Sequence, residues 1–120
     1  MGAKIPRVSE GWVYDAGQAG TAIRLDSAAW VAWLEAPTTT SFSYPLYDRA
    51  CGYIVGFMTV RKEGRERGRK YWSVFRRRGQ QVRKIYLGAS TAVTQARLEA
   101  IAEALRERAA EQRQIVTTAP

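Results

Sequence analysis

The chain has 120 residues, 46% of them hydrophobic, and its 19 Lys and Arg against 11 Asp and Glu give a net charge of +8. This length supports one domain with a sizeable core and is too short for two independent cores. A single cysteine and no histidine exclude an internal disulfide and leave almost no ligands for a structural metal, so we expect neither a metal nor a cofactor.

The positive charge is concentrated in residues 61–88. Residues 1–60 have four cations and five anions, residues 61–88 have eleven and two, and residues 89–120 have four and four. Because a soluble protein usually mixes the two signs over its surface, this basic block is the candidate binding surface. Its interleaved aromatic residues, which are typical of a nucleic-acid-binding strip, are Tyr71, Trp72, Phe75 and Tyr86.

Nothing in the sequence indicates a membrane or an export signal. No apolar run reaches the roughly 18 residues that a membrane-spanning helix needs, and residues 1–10 lack the apolar stretch of a secretory signal. We therefore expect a cytoplasmic protein with no membrane partner. Cys51 is expected to be a small buried residue.

The first predicted element is a β-hairpin. Residues 11–15 and 21–25 are rich in aromatic and branched side chains, and a glycine-containing turn at 16–20 separates them. Further along, Pro45 removes a backbone donor from residues 44–47, so we expect an edge strand or a connecting loop there.

A short helix is predicted between these two segments. Asp26 or Ser27 is expected to cap it, and Pro37 is expected to stop it. Its apolar side chains fall at three- and four-residue spacing, at Trp30, Val31, Trp33 and Leu34. Aromatic residues at this spacing indicate core packing rather than a binding platform.

Residues 53–87 predict three antiparallel strands. They cover residues 53–62, 69–78 and 81–87. A charged turn at 63–68 and a tight turn at Gly79 and Gln80 connect them.

The segment after the sheet predicts an amphipathic helix that starts at Thr94 or Thr91 as its cap. Its apolar stripe consists of Leu98, Ile101, Ala102, Leu105 and Ala109. Its outer side is a ridge of Glu99, Glu103, Glu107 and Glu111. Because these carboxylates repel phosphate, the helix is expected behind the sheet, and residues 115–120 are expected to form a frayed tail.

The predicted fold class is α+β, with a three-stranded antiparallel sheet packed on a C-terminal amphipathic helix. Residues 1–56 would form an N-terminal hairpin and short helix that pack on the sheet. Residues 57–113 would form the sheet-plus-helix nucleic-acid-binding module, and residues 114–120 a flexible tail. We expect one compact domain overall.

Three strands followed by one amphipathic helix resemble the integrase-type DNA-binding domain, found as the arm-binding domain of many tyrosine recombinases and in plant GCC-box-binding factors. The similarity is carried by residues 59–62, 71–79, 86–88 and 97–99. In that family the sheet face away from the helix enters the major groove, so the resemblance implies DNA binding by the sheet.

A second resemblance covers most of residues 20–110. The same motifs, together with residues 25–30 and 33–35, are similar to a module of bacterial proteins. Some of these are free-standing, and in others the module lies at the front of large ATP-binding LuxR-type transcriptional regulators. No ATPase and no C-terminal helix-turn-helix follows in this chain, so the resemblance implies a DNA-linked role with an open target.

Side-chain alternation on the middle strand predicts which residues face the ligand. Trp72 and Val74 are expected to face the helix, which leaves Tyr71, Ser73, Phe75 and Arg77 outward. Arg61 and Arg83 are expected to be their neighbours on the flanking strands. A register change by one residue would exchange the two sets and make Trp72 and Arg76 the readers.

Arginine can contact guanine in bidentate fashion, whereas Lys70 and the arginines near the loop would more readily contact phosphates. The predicted nucleic-acid-binding residues are Arg61, Arg65, Arg67, Arg69, Lys70, Tyr71, Ser73, Phe75, Arg77, Arg78 and Arg83.

The expected function is double-stranded DNA binding, in transcription regulation or as an accessory to mobile-element recombination. One alternative is single-stranded nucleic acid or RNA binding by aromatic stacking. A second is a protein-interaction module that uses the N-terminal half, and a third is a basic surface that only confers solubility. Without histidine or a spaced set of acids and lysine, we expect no catalysis.

Overall fold

The computed structural model describes residues 5–15, 21–48, 50, 52–64 and 70–105. Their seven strands form one mixed sheet in the order β3-β2-β1-β4-β5-β6-β7. The strands are β1 (Arg7–Ser9), β2 (Trp12–Asp15), β3 (Thr21–Arg24), β4 (Ser41–Asp48), β5 (Tyr53–Gly64), β6 (Lys70–Arg78) and β7 (Gln81–Gly88). The helices are α1 (Ala28–Glu35), a short 3-10 helix (Ser90–Ala92) and α2, which includes residues 95–105.

The predicted fold of a three-stranded sheet on a helix is wrong. The three expected strands exist as β5, β6 and β7, but they form only one side of a seven-stranded sheet. The predicted N-terminal hairpin is also present, as the antiparallel pair of β2 and β3, and β1 joins it to the rest by pairing in parallel with β4. Both halves of the chain therefore share one sheet.

Pro45 does not end the sheet. The backbone N–H that proline lacks would point toward β1, which ends nearby, and not toward β5. The Ser43 N–H donates to the Pro6 carbonyl at 2.8 Å. Since alternate residues of a strand point their backbone groups the same way, position 45 would also direct its N–H toward β1 rather than β5. β1 stops at Ser9, whereas β4 pairs with β5 from end to end with one bulge. β4 is therefore a central strand, not the expected edge strand or loop.

Helix α1 forms as predicted. The Ser27 side chain caps it by accepting a hydrogen bond from the Trp30 N–H at 3.1 Å, and the helix ends before Pro37. Both tryptophans are core residues, as expected, and each indole N–H has a partner. Trp30 donates to the Val93 carbonyl at 2.8 Å, and Trp33 donates to the Asp15 carboxylate at 3.0 Å.

One face of the sheet is covered by the two helices. Trp30 lies 5.4 Å from Phe42 of β4, and Phe42 lies 5.6 Å from Trp72 of β6, measured between ring centroids. On α2 the buried residues follow the predicted stripe, at Leu98, Ala102 and Leu105. We call the opposite, uncovered side of the sheet the outer face.

The start of α2 is as predicted, and the two described residues of its predicted acidic ridge, Glu99 and Glu103, are exposed. Thr94 caps the helix by accepting a hydrogen bond from the Arg97 N–H at 3.2 Å. Glu99 also accepts a hydrogen bond of 2.5 Å from the hydroxyl of Tyr44 in β4, a contact that the sequence did not predict. Burial, followed by the adjacent Glu99 carboxylate, raises the pKa of Tyr44. Glu107, Glu111 and Cys51 lie outside the described residues.

Within the described part of the chain, no helix has both the length and the apolar character needed to cross a membrane.

Candidate nucleic-acid interface

The predicted facing of the middle strand is confirmed. Trp72 and Val74 are buried on the helix side, with 0% and 1% of their surface exposed. On the outer face, cross-strand register aligns Phe75 with Thr59 of β5 and Lys84 of β7. Directly paired residues share a face, so the outer face is a ribbon of cationic, aromatic and hydroxyl side chains. Its members on these strands are Thr59, Arg61, Glu63, Tyr71, Ser73, Phe75, Arg77, Val82, Lys84 and Tyr86.

Three of the predicted outward residues are not freely exposed, and Tyr71 is one of them because it is only partly exposed. Ser73 lies on the outer face but is completely buried, so its hydroxyl does not reach the surface. Phe75 is half-buried, with the Arg61 guanidinium 5.3 Å and the Lys84 ammonium 5.5 Å from its ring centroid. Cation–π contacts of this kind stabilise an aromatic ring that would otherwise be an exposed apolar group.

Glu63 provides negative charge on this ribbon, and Lys84 largely neutralises it. The Lys84 ammonium lies 3.0 Å from each carboxylate oxygen of Glu63, across the intervening strand β6. The Tyr71 hydroxyl also donates to this carboxylate, at 3.3 Å. The Lys84 hydrogen bond lowers the pKa of Glu63, and the nearby hydroxyls of Ser73 and Tyr71 act in the same direction.

The end of the β6–β7 hairpin projects into solvent. Every residue from 77 to 84 is exposed, whichever face of the sheet its side chain is on. A two-residue turn joins the strands, and Gly79 has a φ of 60°, a value that glycine adopts at little cost. This turn pairs Arg78 with Gln81, Arg77 with Val82 and Arg76 with Arg83.

That register places Arg83 on the opposite face from Arg77, so the prediction that the two are neighbours on one face is wrong. An alternation argument applied to one strand cannot locate a residue on the next strand until the turn length fixes the register. Arg76, Arg78 and Arg83 thus project on one side of the hairpin end, and Arg77 and Lys84 on the other.

Arg76 is the site residue that sequence reasoning mainly missed. Its guanidinium donates to the Phe57 carbonyl at 2.8 Å and lies against Gly56, where a Cβ would come within 2.8 Å of a guanidinium nitrogen. Partial burial and then the neighbouring Arg78 lower the pKa of Arg76. Counting the register outward from the Gly79 turn would have paired Arg76 with Arg83.

The remaining predicted residues are distributed as follows. Lys70 is exposed at the start of β6, where it pairs with Gly64 and projects on the face opposite to Tyr71. Arg65, Arg67 and Arg69 lie outside the described residues. The structure therefore brings together Arg61, Tyr71, Phe75 and Arg77 on the outer face, with Arg78 and Arg83 behind them at the hairpin end.

The hairpin can donate many hydrogen bonds to an anion, because each guanidinium has five N–H groups and few of them bond to described residues. Arg77 gives one to the Gly79 carbonyl at 3.2 Å, and Arg76 gives one to Phe57. Lys84 with Glu63 is the one salt bridge among the described residues of this region. Among all the residues that the structure describes, no group of three or more Asp, Glu, Cys or His side chains is placed to bind a metal ion.

Comparison with known proteins leaves the family open. No protein-family model, curated protein or solved structure matches this chain, so the resemblance to integrase-type domains stays a prediction.

Proposed function

We propose that this protein binds double-stranded DNA through the β6–β7 hairpin, in transcription regulation or in the accessory machinery of mobile DNA. The observation that supports this most directly is the charge of the hairpin end. Residues 76–84 include five cations and no acid. The cations project on both sides of the ribbon, and only Lys84 forms an ion pair with a described residue.

The width of the sheet favours the hairpin over the whole outer face as the element that enters a groove. Seven strands spaced about 4.8 Å apart are roughly 29 Å wide, whereas the major groove is about 12 Å wide. A two-stranded ribbon fits that groove. β7 is the last strand of the sheet, so the hairpin can enter without the other strands.

The two sides of the hairpin suit the two walls of a groove. With Arg76, Arg78 and Arg83 on one side and Arg77 on the other, both phosphate backbones could be contacted at once. Arg76 and Arg83 lie directly opposite each other, and like charges in such a pair repel. A polyanion between or beside them would relieve that repulsion.

Single-stranded nucleic acid is the second candidate ligand, and one observation favours it. The outer face exposes aromatic rings over which unpaired bases could stack, with Tyr86 52% and Trp12 40% exposed. Stacking would use the breadth of the sheet rather than the hairpin alone. Duplex and single-stranded probes therefore separate the two candidates.

The test is a fluorescence anisotropy titration with random duplex and random single-stranded oligonucleotides over a series of salt concentrations. If about five phosphates are neutralised, log affinity for duplex should fall with log salt at a slope near −4 to −5. Binding to the single-stranded oligonucleotides alone would favour the second candidate. Binding to neither pool would overturn both and favour a protein-interaction role.

Matched variants identify the binding element in the same assay. Replacing Arg78 and Arg83 by Gln removes two positive charges from the hairpin. Replacing Arg24 of β3 and Arg97 of α2 by Gln removes the same charge from exposed positions elsewhere. Weakening by the first pair and not by the second is expected, and equal weakening would mean that only net charge matters.

A further inference from the structure

We infer that the outer face beside the hairpin has a site for one unpaired nucleotide, so that the protein prefers duplexes that carry an unpaired base. This inference rests on the proposed binding of duplex DNA by the hairpin. It adds a second, chemically distinct contact that a fully paired duplex cannot make.

The site is a depression of about 330 Å³ between β5, β6 and β7. Its lining is partly apolar and partly cationic, and it includes Phe57, Thr59, Arg61, Phe75, Arg77 and Val82. The volume is at the lower end of the range for small-ligand pockets, which is roughly 300–1,000 Å³. A site of this size suits a single small ligand rather than a stretch of duplex.

Phe57 offers the stacking surface. The residue is 48% exposed, and its ring makes no stacking or cation–π contact within the described part of the chain. The neighbouring rings differ, because Phe75 lies between two cations and Tyr86 packs on Tyr71 at 5.5 Å. Phe57 is thus the ring in the depression whose faces are available to a base.

The charges around Phe57 suit the phosphate of the same nucleotide. Arg61, Arg76 and Arg77 line the depression, and no carboxylate does so among the described residues. Guanidinium groups recognise phosphate oxygens in bidentate fashion, and the Thr59 hydroxyl adds a donor or acceptor for a base edge. A planar ring attached to a phosphate fits this combination better than an apolar ligand would.

A base that is paired within a duplex cannot reach the Phe57 ring, so the bound nucleotide must be unpaired. A paired base is held by its partner strand and by its stacked neighbours, so a base can enter a pocket beside an aromatic side chain only where it is unpaired, as in an overhang, a gap or a mismatch. Arg77 and Val82 belong to both the hairpin and the depression. If the hairpin binds a duplex near its end, an unpaired base that overhangs this end would therefore lie next to Phe57.

The experiment compares a blunt duplex with the same duplex carrying a single 2-aminopurine overhang. We expect the overhang to tighten binding roughly fivefold or more, and 2-aminopurine fluorescence to fall as the base stacks. Phe57→Leu should abolish both effects and leave blunt-duplex affinity unchanged. Phe57→Tyr, which keeps a ring, should retain them, and so should Tyr14→Leu, which removes an equally exposed ring on β2.

The outcomes separate this inference from the proposed function. Equal affinity for the two duplexes with no change in fluorescence overturns the nucleotide site and leaves hairpin binding intact. Loss of affinity for both duplexes in Phe57→Leu also overturns it, because Phe57 would then only support the hairpin. Binding to neither duplex by the native protein overturns the proposed function itself. Unfolding midpoints of all variants establish that each one is folded.

Discussion

Arg76 and Arg83 lie directly opposite each other on β6 and β7, and neither forms an ion pair with a described carboxylate. Cross-strand like charges cost stability, typically about 0.2 to 1 kcal/mol relative to a neutral pair. Arg76 is partly buried against Gly56 and so cannot swing fully away from its partner. The hairpin thus keeps a repulsive pair at the place where the proposed ligand is an anion.

Arg83→Gln should make the protein slightly more stable and weaken its binding to DNA. Removing one member of the repulsive pair should raise the free energy of unfolding by up to about 1 kcal/mol. The loss of one phosphate contact should make the salt slope shallower by about 1. Urea unfolding and anisotropy measure the two effects, and Arg97→Gln is the control. Unchanged affinity of this variant for DNA would show that Arg83 does not contact the DNA.

Arg77→Ala should affect sequence preference, whereas Arg78→Ala should not. Arg77 is on the outer side of the hairpin and its Nε donates to the Gly79 carbonyl, which orients the guanidinium near the turn. If it contacts a base edge, its loss should cost roughly 1 to 3 kcal/mol at one base pair of the preferred site. Arg78 should contribute equally on all sequences. Selection from a random duplex pool measures both, and a uniform loss from both variants would contradict a reading role for Arg77.

Glu63→Gln should strengthen DNA binding while it weakens the fold. The change removes the carboxylate that neutralises Lys84, so Lys84 becomes available to phosphate and the face gains one net positive charge. The half-exposed ion pair is worth about 0 to 1 kcal/mol of stability, which sets the expected loss. Steeper salt dependence than that of the native protein is the diagnostic result, and weaker binding would show that Glu63 orders the site.

Acid should diminish the stabilising effect of Glu63. Its folded-state pKa is lowered by Lys84, so its contribution is present above the unfolded pKa of about 4.5 and is lost as the pH falls through the folded value. The difference in stability between the native protein and Glu63→Gln should therefore shrink as the pH falls below about 4. A difference that stays constant would contradict the link between this ion pair and stability.

The helix caps and the hairpin turn, which depend on residues close in sequence, were predictable. The pairing of strands that are distant in sequence was not. Ser27 and Thr94 cap helices by contacts within three residues, and Gly79 sets the turn of the hairpin. In contrast, β1 has three residues and pairs in parallel with β4 across more than thirty positions of sequence. No periodicity can appear in so short a segment, so the extent of the sheet was missed.

The candidate site was predictable in composition and only partly in geometry. Alternation correctly separated Trp72 and Val74 from Phe75 and Arg77. It could not show that the neighbouring side chains cover Ser73, nor that Arg83 projects on the other side of the hairpin. Those features depend on contacts between strands, which the sequence of one strand does not contain.

Tyr44→Phe should destabilise the protein by about 1 to 2 kcal/mol. The Tyr44 hydroxyl donates a 2.5 Å hydrogen bond to Glu99 and so links β4 to α2. Hydrogen bonds to charged groups contribute more than neutral ones, but Glu99 is exposed and can be solvated again after the change. Urea unfolding near neutral pH measures the loss, with Tyr53→Phe at a well-exposed position as the control.

Alkali gives this contact a distinctive pH dependence. Burial and then Glu99 raise the pKa of Tyr44 above the ordinary value of 10.0, so the folded protein keeps it neutral while the unfolded chain ionises. Its stabilising effect is complete below about pH 10 and is lost as the pH rises above that value. The stability of the native protein should therefore fall more steeply than that of Tyr44→Phe above about pH 10. Parallel curves for the two proteins would contradict a neutral, buried Tyr44.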